Sequence, residues 1–380
     1  MKSPAEFRTL FPVTRMLTYL DTGQRGLTSP TSTQAAAEAL QAWEQLDPEG
    51  RGRELPAEVK SKLARLLQVD ADELAFCSST TQGLNITAQA IDWQPGDNVV
   101  ISAVEHASNF YPWANLRQRG VELRLVPSRD GSLHPADYAP FIDQRTRAVS
   151  ASLVTFDPGG LLPARELAEL AHEVGALFVL DAVQAVGILP VYPRELGADV
   201  LVSAAYKGLM SAHGTGFFYV AQEVAPRLHP PFLGMSAALQ GERGMARGQL
   251  TSPDYQLLPQ AALFQTAGHH LAGLAQLNHA LDLLLALGVE QIGQHVCQLA
   301  RQLAAGLDEL GYRVTTPADQ LGSIVCVQVE DGRSLVGFLA ERNIRASARR
   351  SGLRMAFHAY NSAADVERAL EALAEYPLRS

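Results

Sequence analysis

Short apolar runs recur through the middle of the chain, separated by amphipathic or polar stretches. Between Glu73 and Val220 these runs are ELAFCSS, NVVISAVE, VELRLVP, AVSASLVTF, ALFVLDA, DVLVSAA and GFFYV. Continuous runs rich in Val, Ile, Leu and Phe, with helices between them, are typical of a parallel sheet that is covered on both faces. The pattern predicts an α/β fold whose large domain contains a mostly parallel seven-stranded sheet.

The clearest predicted helix runs from Pro163 to Val174. Its apolar side chains repeat at helical spacing, Pro163 suits the first turn, and Gly175 suits the end of the helix. The helix leads directly into the run ALFVLDA, so the two segments predict a helix-to-strand unit.

The pattern of apolar residues along the chain changes after about Gln260. Two Leu- and Ala-rich helices are predicted from His269 to Leu287 and from Gln291 to Leu310, followed by the strands SIVCVQV and LRMAFHA. A last helix is predicted to begin near Asn361 or Ser362. We therefore expect a large domain over 16–258 and a smaller α+β domain over 259–380, with an N-terminal arm over 1–15 packed on the smaller one. The stretch from Pro230 to Leu258 is rich in Gly, Pro, Gln and Ser and predicts a linker or active-site segment.

Composition narrows the possible functions. The 380 residues are 47% hydrophobic and 19% charged, with a net charge of −9, and the densest basic stretch is the short one from Arg345 to Arg350. We expect a globular enzyme and no nucleic-acid partner. The three cysteines show no CxxC spacing, so neither a disulfide framework nor a metal site is expected. Without an apolar run of roughly 18 residues or a signal sequence, we expect no membrane partner and a cytoplasmic location.

Two charged residues follow buried runs. Asp181 ends the run ALFVLDA, and Lys207 lies just beyond DVLVSAA. Ligands of open α/β sheets bind outside the carboxyl ends of the strands, so both side chains are predicted to face one crevice. A lysine amine and an acidic partner for a pyridine nitrogen are what pyridoxal 5′-phosphate (PLP) requires. Taken alone, each residue would more often be a solvated lysine or a helix cap.

Together with the segments around them, these residues resemble the class V aminotransferase family, which includes cysteine desulfurases, selenocysteine lyases, kynureninases and isopenicillin N epimerases. The resemblance covers nearly the whole chain and implies the PLP-dependent transferase fold of aspartate aminotransferase type. It also implies that Lys207 holds PLP as a Schiff base and that Asp181, in a D-x-x-Q segment, pairs with the pyridine nitrogen. Gln184 is then expected to reach the ring hydroxyl.

Further cofactor contacts follow from the same resemblance. The stretch SSTTQGLN is similar to the family's phosphate-binding turn and implies roles for Thr80, Thr81 and the backbone at Gln82. The segment VEHASNFYPW implies that His106 stacks on the cofactor ring and moves protons. Around the lysine, the cofactor contacts are expected to be Ser203 and Tyr206.

Substrate contacts are implied at both ends of the chain. The segment GLRMAFHAYN is similar to a family strand whose arginine binds the substrate α-carboxylate, here Arg354. The segment TYLDTGQRGL places Gly23 and Gln24 near the substrate.

The chain departs from the family pattern in three places. Cysteine desulfurases carry a nucleophilic cysteine on a loop before the arginine, whereas RNIRASARRSG is short and contains none. Cys77 and Cys326 lie on predicted strands and are expected to be core thiols. Phe156 lies near a position where many members have asparagine. The G-T-P threonine, which the neighbouring subunit supplies in the family, corresponds to Gly268, with Thr266 close by.

The sequence therefore predicts the cofactor more closely than the reaction. The leading hypothesis is a carbon–sulfur lyase or transaminase acting on a small α-amino acid, without a persulfide-forming cysteine loop. The alternatives are an amino-acid epimerase and a non-catalytic PLP-binding protein. A homodimer is expected, because it is the family's habit and the commonest soluble assembly.

Overall fold

The computed structural model describes residues 3–47, 50–128, 130–234, 237, 256–258, 261–265 and 269–377. The strands in these ranges are β1 (Thr18–Tyr19), β2 (Leu74–Cys77), β3 (Asn98–Ser102), β4 (Glu122–Val126), β5 (Thr146–Ser152), β6 (Leu177–Asp181), β7 (Val200–Ala204), β8 (Gly216–Val220), β9 (Ile324–Gln328), β10 (Ile344–Arg345), β11 (Ser347–Arg349) and β12 (Gly352–Ala356). The α-helices are α1 (Pro4–Thr9), α2 (Pro30–Glu44), α3 (Arg51–Leu67), α4 (Thr80–Ala90), α5 (Ala107–Ala114), α6 (Pro135–Tyr138), α7 (Ala164–Glu173), α8 (Leu271–Leu287), α9 (Val289–Glu309), α10 (Gly332–Glu341) and α11 (Ala363–Glu375).

A seven-stranded sheet forms the centre of the fold, in the order β2-β8-β7-β6-β5-β3-β4. The strands from β7 to β4 in this order are parallel to one another, and β8 is antiparallel to both of its neighbours. All seven apolar runs identified in the sequence are strands of this sheet, so the predicted mostly parallel α/β sheet is confirmed.

Burial explains the sequence pattern of the strands. Every residue of β3, β6, β7 and β8 is buried, which is why these runs are continuously apolar rather than alternating. The edge strand β4 is partly exposed and carries Arg124, whose guanidinium group forms ion pairs with Glu122 and Asp143. A charged side chain on an edge strand discourages pairing with another sheet.

Helix boundaries agree with the predicted ones to within two residues. Helix α7 runs from Ala164 to Glu173, with Pro163 at the N-cap, and Gly175 follows at a φ of 76°. Helix α9 begins at Val289, two residues before the predicted start, because Gly288 with its φ of 88° separates it from α8. Within the described ranges no single helix is long and apolar enough to span a membrane, although α8 and α9, bent by 79°, pass that test as a pair.

The C-terminal part has its own antiparallel sheet, in the order β11-β12-β9. Helix α11 starts at the predicted cap, where Ser362 and Asp365 form a capping box. The N-terminal strand β1 pairs in parallel with β10, and Asp21 forms a bridge with Ala356. The division into domains at residues 258 and 259 stays a prediction. Most of the predicted linker from Pro230 to Leu258 lies outside the described residues.

An ion pair attaches the N-terminal helix to the C-terminal one. Both terminal nitrogens of Arg8 contact the fully buried carboxylate of Asp365, at 2.5 and 3.1 Å. The same guanidinium group donates to the backbone carbonyls of Thr14 and Tyr360. Residues 8 to 14 are therefore fastened to a region more than 340 residues away along the chain.

Removing one partner of this pair is expected to destabilise the fold. Arg8→Ala leaves a buried carboxylate without its bidentate partner, so the free energy of unfolding should fall by about 3 kcal/mol. Urea denaturation measures the change. Arg15→Ala, an exposed arginine close by in the chain, is the control and should change the value by less than about 0.5 kcal/mol. Equal, small effects of both substitutions would show that the pair contributes no more than a surface ion pair does.

Candidate active site

Four adjacent parallel strands bring polar and aromatic side chains to one edge of the sheet. The order β3-β5-β6-β7 makes these strands neighbours, with their carboxyl ends at the same edge. His106 follows β3, Phe156 follows β5, Asp181 ends β6, and Lys207 follows β7. The structure therefore brings Lys207 and Asp181 to one crevice, as the strand pattern predicts.

Lys207 lies in a tight turn that the N-terminal segment covers. Its carbonyl oxygen accepts a hydrogen bond from the Met210 amide at 3.0 Å, and the neighbouring Tyr206 carbonyl accepts one from Gly26 at 2.9 Å. A Cβ atom on Gly26 would lie 2.1 Å from the Lys207 carbonyl oxygen, which is closer than any real contact. Position 26 thus requires glycine because the backbone approaches the lysine turn directly.

The environment of Lys207 lowers the pKa of its amine. Only 8% of the residue is exposed, and this burial lowers the pKa of the amine. The Asp181 carboxylate opposes the shift, while the positive charges of Arg354 and Arg349 add to it. Burial raises the pKa of Asp181 in turn, although Oδ1 accepts a hydrogen bond from the Val183 amide at 3.0 Å.

Lysines are scarce in this protein. The chain has four, at positions 2, 60, 62 and 207. Lys60 and Lys62 belong to α3, and burial also lowers the pKa of Lys60, whose amine lies 5.6 Å from the centre of the Phe76 ring. Lys207 is thus the lysine that lies at the crevice among the described residues.

The loop after β3 is anchored by Glu105. Its carboxylate accepts hydrogen bonds from Asn109 Nδ2 at 2.9 Å, from Ser102 Oγ at 3.2 Å, and from both the amide and the hydroxyl of Ser152 at 2.9 and 2.5 Å. Burial raises the pKa of this carboxyl group. In the sequence, only the position of Glu105 directly before His106 pointed to a role for this residue.

His106 caps helix α5 and faces Phe156. Its Nδ1 atom accepts from the Ser108 amide at 3.1 Å, and the two ring centres lie 4.7 Å apart at 62°. Burial lowers the pKa of the imidazole, and the positive charges of Lys207 and two arginines lower it further. The ring is therefore neutral around pH 7 and available to accept a proton.

The N-terminus of α4 forms the turn predicted to hold phosphate. Ser79 is the N-cap and accepts from the Gln82 amide at 3.2 Å. The Thr80 hydroxyl is buried and accepts from the Ala204 amide at 3.1 Å, while the Thr81 hydroxyl donates to Ser108 at 2.9 Å. The helix thus points its free amides towards the end of β7.

The other predicted cofactor contacts differ in how the structure places them. Ser203 is buried within β7 and donates to the Ala204 carbonyl at 3.1 Å. The Tyr206 ring stacks on His213, with the ring centres 4.0 Å apart. Gln184 donates from Nε2 to the Gly23 carbonyl at 3.0 Å, and its buried Oε1 has no partner. Thr266 and Gly268 lie outside the described residues.

Arg354 is fully buried on β12, yet its guanidinium group is only partly satisfied. Nη1 donates to the Phe156 carbonyl at 3.2 Å, whereas Nε and Nη2 have no hydrogen-bond partner among the described residues. A Cβ atom on Gly23 would lie 2.8 Å from Arg354 Cζ, so the glycine leaves the space that the guanidinium group occupies. Gln24, the next residue, is exposed. Burial lowers the pKa of Arg354 to about 10, which still leaves it charged at neutral pH.

A second arginine, which the sequence analysis did not select, lies beside the first. The Cζ atom of Arg349 is 4.8 Å from the centre of the Phe156 ring, and that of Arg354 is 5.0 Å from it. Arg349 is half-buried and donates from Nη1 to the Ala348 carbonyl at 2.7 Å, and no described residue accepts from its buried Nε. The sequence shows the basic stretch from Arg345 to Arg350, but it does not show which of these arginines faces the crevice.

The connection between β11 and β12 is very short. Arg349 pairs with Gly352, so only Arg350 and Ser351 form the turn, and the Ser351 amide donates to Asp157 at 3.1 Å. Cys326 is buried on the adjacent strand β9, and Cys77 is buried on β2. Burial raises the pKa of both thiols to about 12, so neither is a ready nucleophile.

These residues fit PLP. The buried amine of Lys207 can bind its aldehyde carbon, the buried carboxylate of Asp181 can balance a pyridinium charge, and the N-terminus of α4 can accept its phosphate. The unpartnered donors of Arg354 leave a place for a substrate carboxylate.

Comparison with known proteins agrees with this geometry. The family profile described as Aminotransferase class-V matches residues 38–369. A probable cysteine desulfurase of Methanothermobacter thermautotrophicus is 29% identical over 254 residues, which are 67% of this chain but less than two thirds, 61%, of that relative. Two solved structures are similar in fold. The apo cysteine desulfurase from Thermococcus onnurineus NA1 has a TM-score of 0.86 and 23% identity, and the match covers 99% of this chain and 98% of that one. The complex of the cystine C–S lyase C-DES with its product cysteine persulfide has a TM-score of 0.87 and 21% identity, and the match covers 96% of this chain and 99% of that one.

The predicted PLP-dependent transferase fold is confirmed by these structural neighbours, and the family match spans most of the chain. The likeness to the solved structures, at under 25% identity, shows the fold alone. The chain belongs to the class V aminotransferase family and is a PLP-dependent enzyme.

Proposed function

We propose that this enzyme is a carbon–sulfur lyase or transaminase for a small α-amino acid, with β-elimination of sulfur as the favoured reaction. The observation that carries the proposal is the pairing of a complete lysine–carboxylate site with the two-residue turn between β11 and β12. That turn offers no thiol to which sulfur could pass, because its residues are Arg350 and Ser351. Sulfur would therefore leave as a small molecule.

The cofactor would be held, in this proposal, by residues from three strand ends and one helix. Lys207 attaches it covalently, Asp181 pairs with the pyridine nitrogen, Gln184 donates to the ring hydroxyl, and His106 stacks on the ring. The phosphate lies at the N-terminus of α4, where the contacting residues are Thr80, Thr81, Ser203 and Tyr206. Bound PLP withdraws electrons from the α-carbon of an amino acid and so weakens its bonds.

The substrate is oriented by Arg354. Its unpartnered Nε and Nη2 atoms can form two parallel hydrogen bonds with the α-carboxylate. Gly23 leaves the space for that contact, and the exposed Gln24 follows it in the chain, where we propose that it contacts the substrate. Which bond breaks depends on how the residues hold the substrate against the ring.

Proton transfer falls to Lys207 and His106. The lowered pKa of the Lys207 amine lets it accept the α-proton when it is not bound to the cofactor. The imidazole of His106, which is neutral at the start, could then accept that proton from the Lys207 ammonium group and pass it to a departing thiolate. Transamination would follow if Lys207 did not return its proton to the α-carbon, whereas epimerisation would require a second residue to protonate the α-carbon from the opposite face.

The curated relative described as a probable cysteine desulfurase supports a sulfur-containing substrate. Homodimer formation remains part of the proposal, because the family resemblance implies a phosphate contact from a neighbouring subunit and two-fold dimers are the commonest assemblies.

Covalent attachment is expected at Lys207 alone. Borohydride reduction of the PLP-loaded protein should fix the cofactor to the peptide that contains Lys207, because no other lysine of the described residues lies at the crevice. Peptide mass spectrometry identifies the site. Lys60→Ala removes a half-buried lysine and should leave the label in place, whereas Lys207→Ala should remove it. A label on Lys60 would contradict the assignment.

The rate of the reaction is expected to depend more on the charge of Asp181 than on the size of its side chain. Asp181→Asn retains the size of the side chain but removes the anion, so kcat should fall about a hundredfold or more. The same change removes a charge that raises the pKa of Lys207, so the amine should titrate at lower pH in the apoprotein. Steady-state kinetics and NMR titration measure the two effects. Wild-type kcat in Asp181→Asn would rule out the pyridine contact.

Sulfur release is expected to require none of the three cysteines. Each of Cys77→Ala, Cys297→Ala and Cys326→Ala should convert cysteine or cystine to pyruvate and a sulfur product at rates within about threefold of the wild type, since no described thiol lies at the crevice. Coupled pyruvate detection and mass spectrometry of the intact protein follow the reaction. A protein persulfide that one of these variants abolishes, together with activity, would favour a desulfurase. Formation of a keto acid only with an amino acceptor would favour the transaminase.

A further inference from the structure

Two guanidinium groups converge on one aromatic ring at the substrate side of the crevice. The Cζ atoms of Arg349 and Arg354 lie 4.8 and 5.0 Å from the centre of the Phe156 ring. Arginine packs favourably on aromatic rings, and the ring holds both cations in a fixed place. Phe156 thus acts as a platform for two positive charges.

The protein itself leaves these charges incompletely balanced. The Arg354 Nη2 atom is 4.0 Å from Asp21 Oδ1, beyond hydrogen-bond distance, and burial raises the pKa of that carboxyl group. Within the part of the chain that the structure describes, the buried donors Arg354 Nε and Nη2 and Arg349 Nε have no hydrogen-bond partner. Buried donors of charged groups are costly when unsatisfied, so their presence at a crevice indicates anionic ligands.

One carboxylate does not account for both arginines. The proposed function uses Arg354 for the substrate α-carboxylate, which leaves Arg349. The charge of Arg349 lowers the pKa of both Lys207 and His106, so this arginine is within electrostatic reach of the reacting groups. Its position is fixed, because Nη1 is bonded to the Ala348 carbonyl and the Ser351 amide ties the hairpin to Asp157.

We propose that Arg349 forms a second anion subsite and that the preferred substrate is an amino acid with a second carboxylate at the far end of its side chain. This inference rests on the proposed function, in which Arg354 receives the α-carboxylate. Arg349 then binds the distal carboxylate and sets specificity, while the bond-breaking residues remain the same.

Binding of two matched acids tests the subsite without turnover. Succinate and butyrate have the same four-carbon length but differ by one carboxylate, and isothermal titration of the PLP-loaded protein at constant ionic strength gives their affinities. The wild type should bind succinate at least tenfold more tightly. Arg349→Ala should lose roughly tenfold or more for succinate and little for butyrate, because a charge-assisted hydrogen bond is lost only for the diacid. Arg349→Lys should retain part of the preference.

Arg350→Ala is the control, since it removes the same charge from the exposed neighbouring residue of the same turn. It should leave the preference for succinate unchanged.

Equal binding of the two acids by the wild type would overturn the inference. An equal loss of affinity for both acids in Arg349→Ala would also overturn it, because Arg349 would then be a second ligand of the α-carboxylate. A succinate preference in a protein that releases no sulfur and transfers no amino group would refute the proposed reaction while supporting the subsite. Sulfur release from cysteine without that preference would refute the subsite alone.

Discussion

Burial of an amine and a carboxylate at the same strand ends is the constraint on which the site depends. Lys207 and Asp181 are both buried. The charge of Asp181 raises the pKa of Lys207, and the charge of Lys207 lowers the pKa of Asp181, so each opposes the effect of burial on the other. Such a pair is tolerated where a bound group can use it, since PLP presents an electrophilic carbon to one member and a basic nitrogen to the other. The parallel strands β6 and β7 determine their spacing, because adjacent parallel strands end at the same edge.

Much of the framework could be predicted from the sequence, for identifiable reasons. The buried strands are continuously apolar because helices cover both faces of the sheet, so their pattern is strong. Asp181 and Lys207 follow such strands directly, and this placement suggested their role. Gly288 shows the limit at helix ends: a single glycine at positive φ separates two helices whose apolar patterns run together, and the predicted start of α9 was two residues late.

Residues whose roles depend on side-chain direction could not be predicted in this way. Arg349 and Arg350 are adjacent and chemically identical, yet only Arg349 lies over Phe156, because the pleat of β11 and the turn after it set their directions. Glu105 is similar, since its four hydrogen-bond donors come from three elements that the sequence does not show to be neighbours. Long-range placement of this kind requires the three-dimensional structure.

The crevice is assembled from both ends of the chain and its middle. Gly26 lies against the carbonyl of Lys207. Gly208, which follows Lys207 in the chain, accepts a hydrogen bond at its carbonyl from the buried His358 at 2.9 Å. Arg354 comes from the same C-terminal region. Arg354 and His358 must therefore be synthesised before the lysine turn has all its neighbours. A translation product that stops before these residues would lack the complete site even though it contains the lysine.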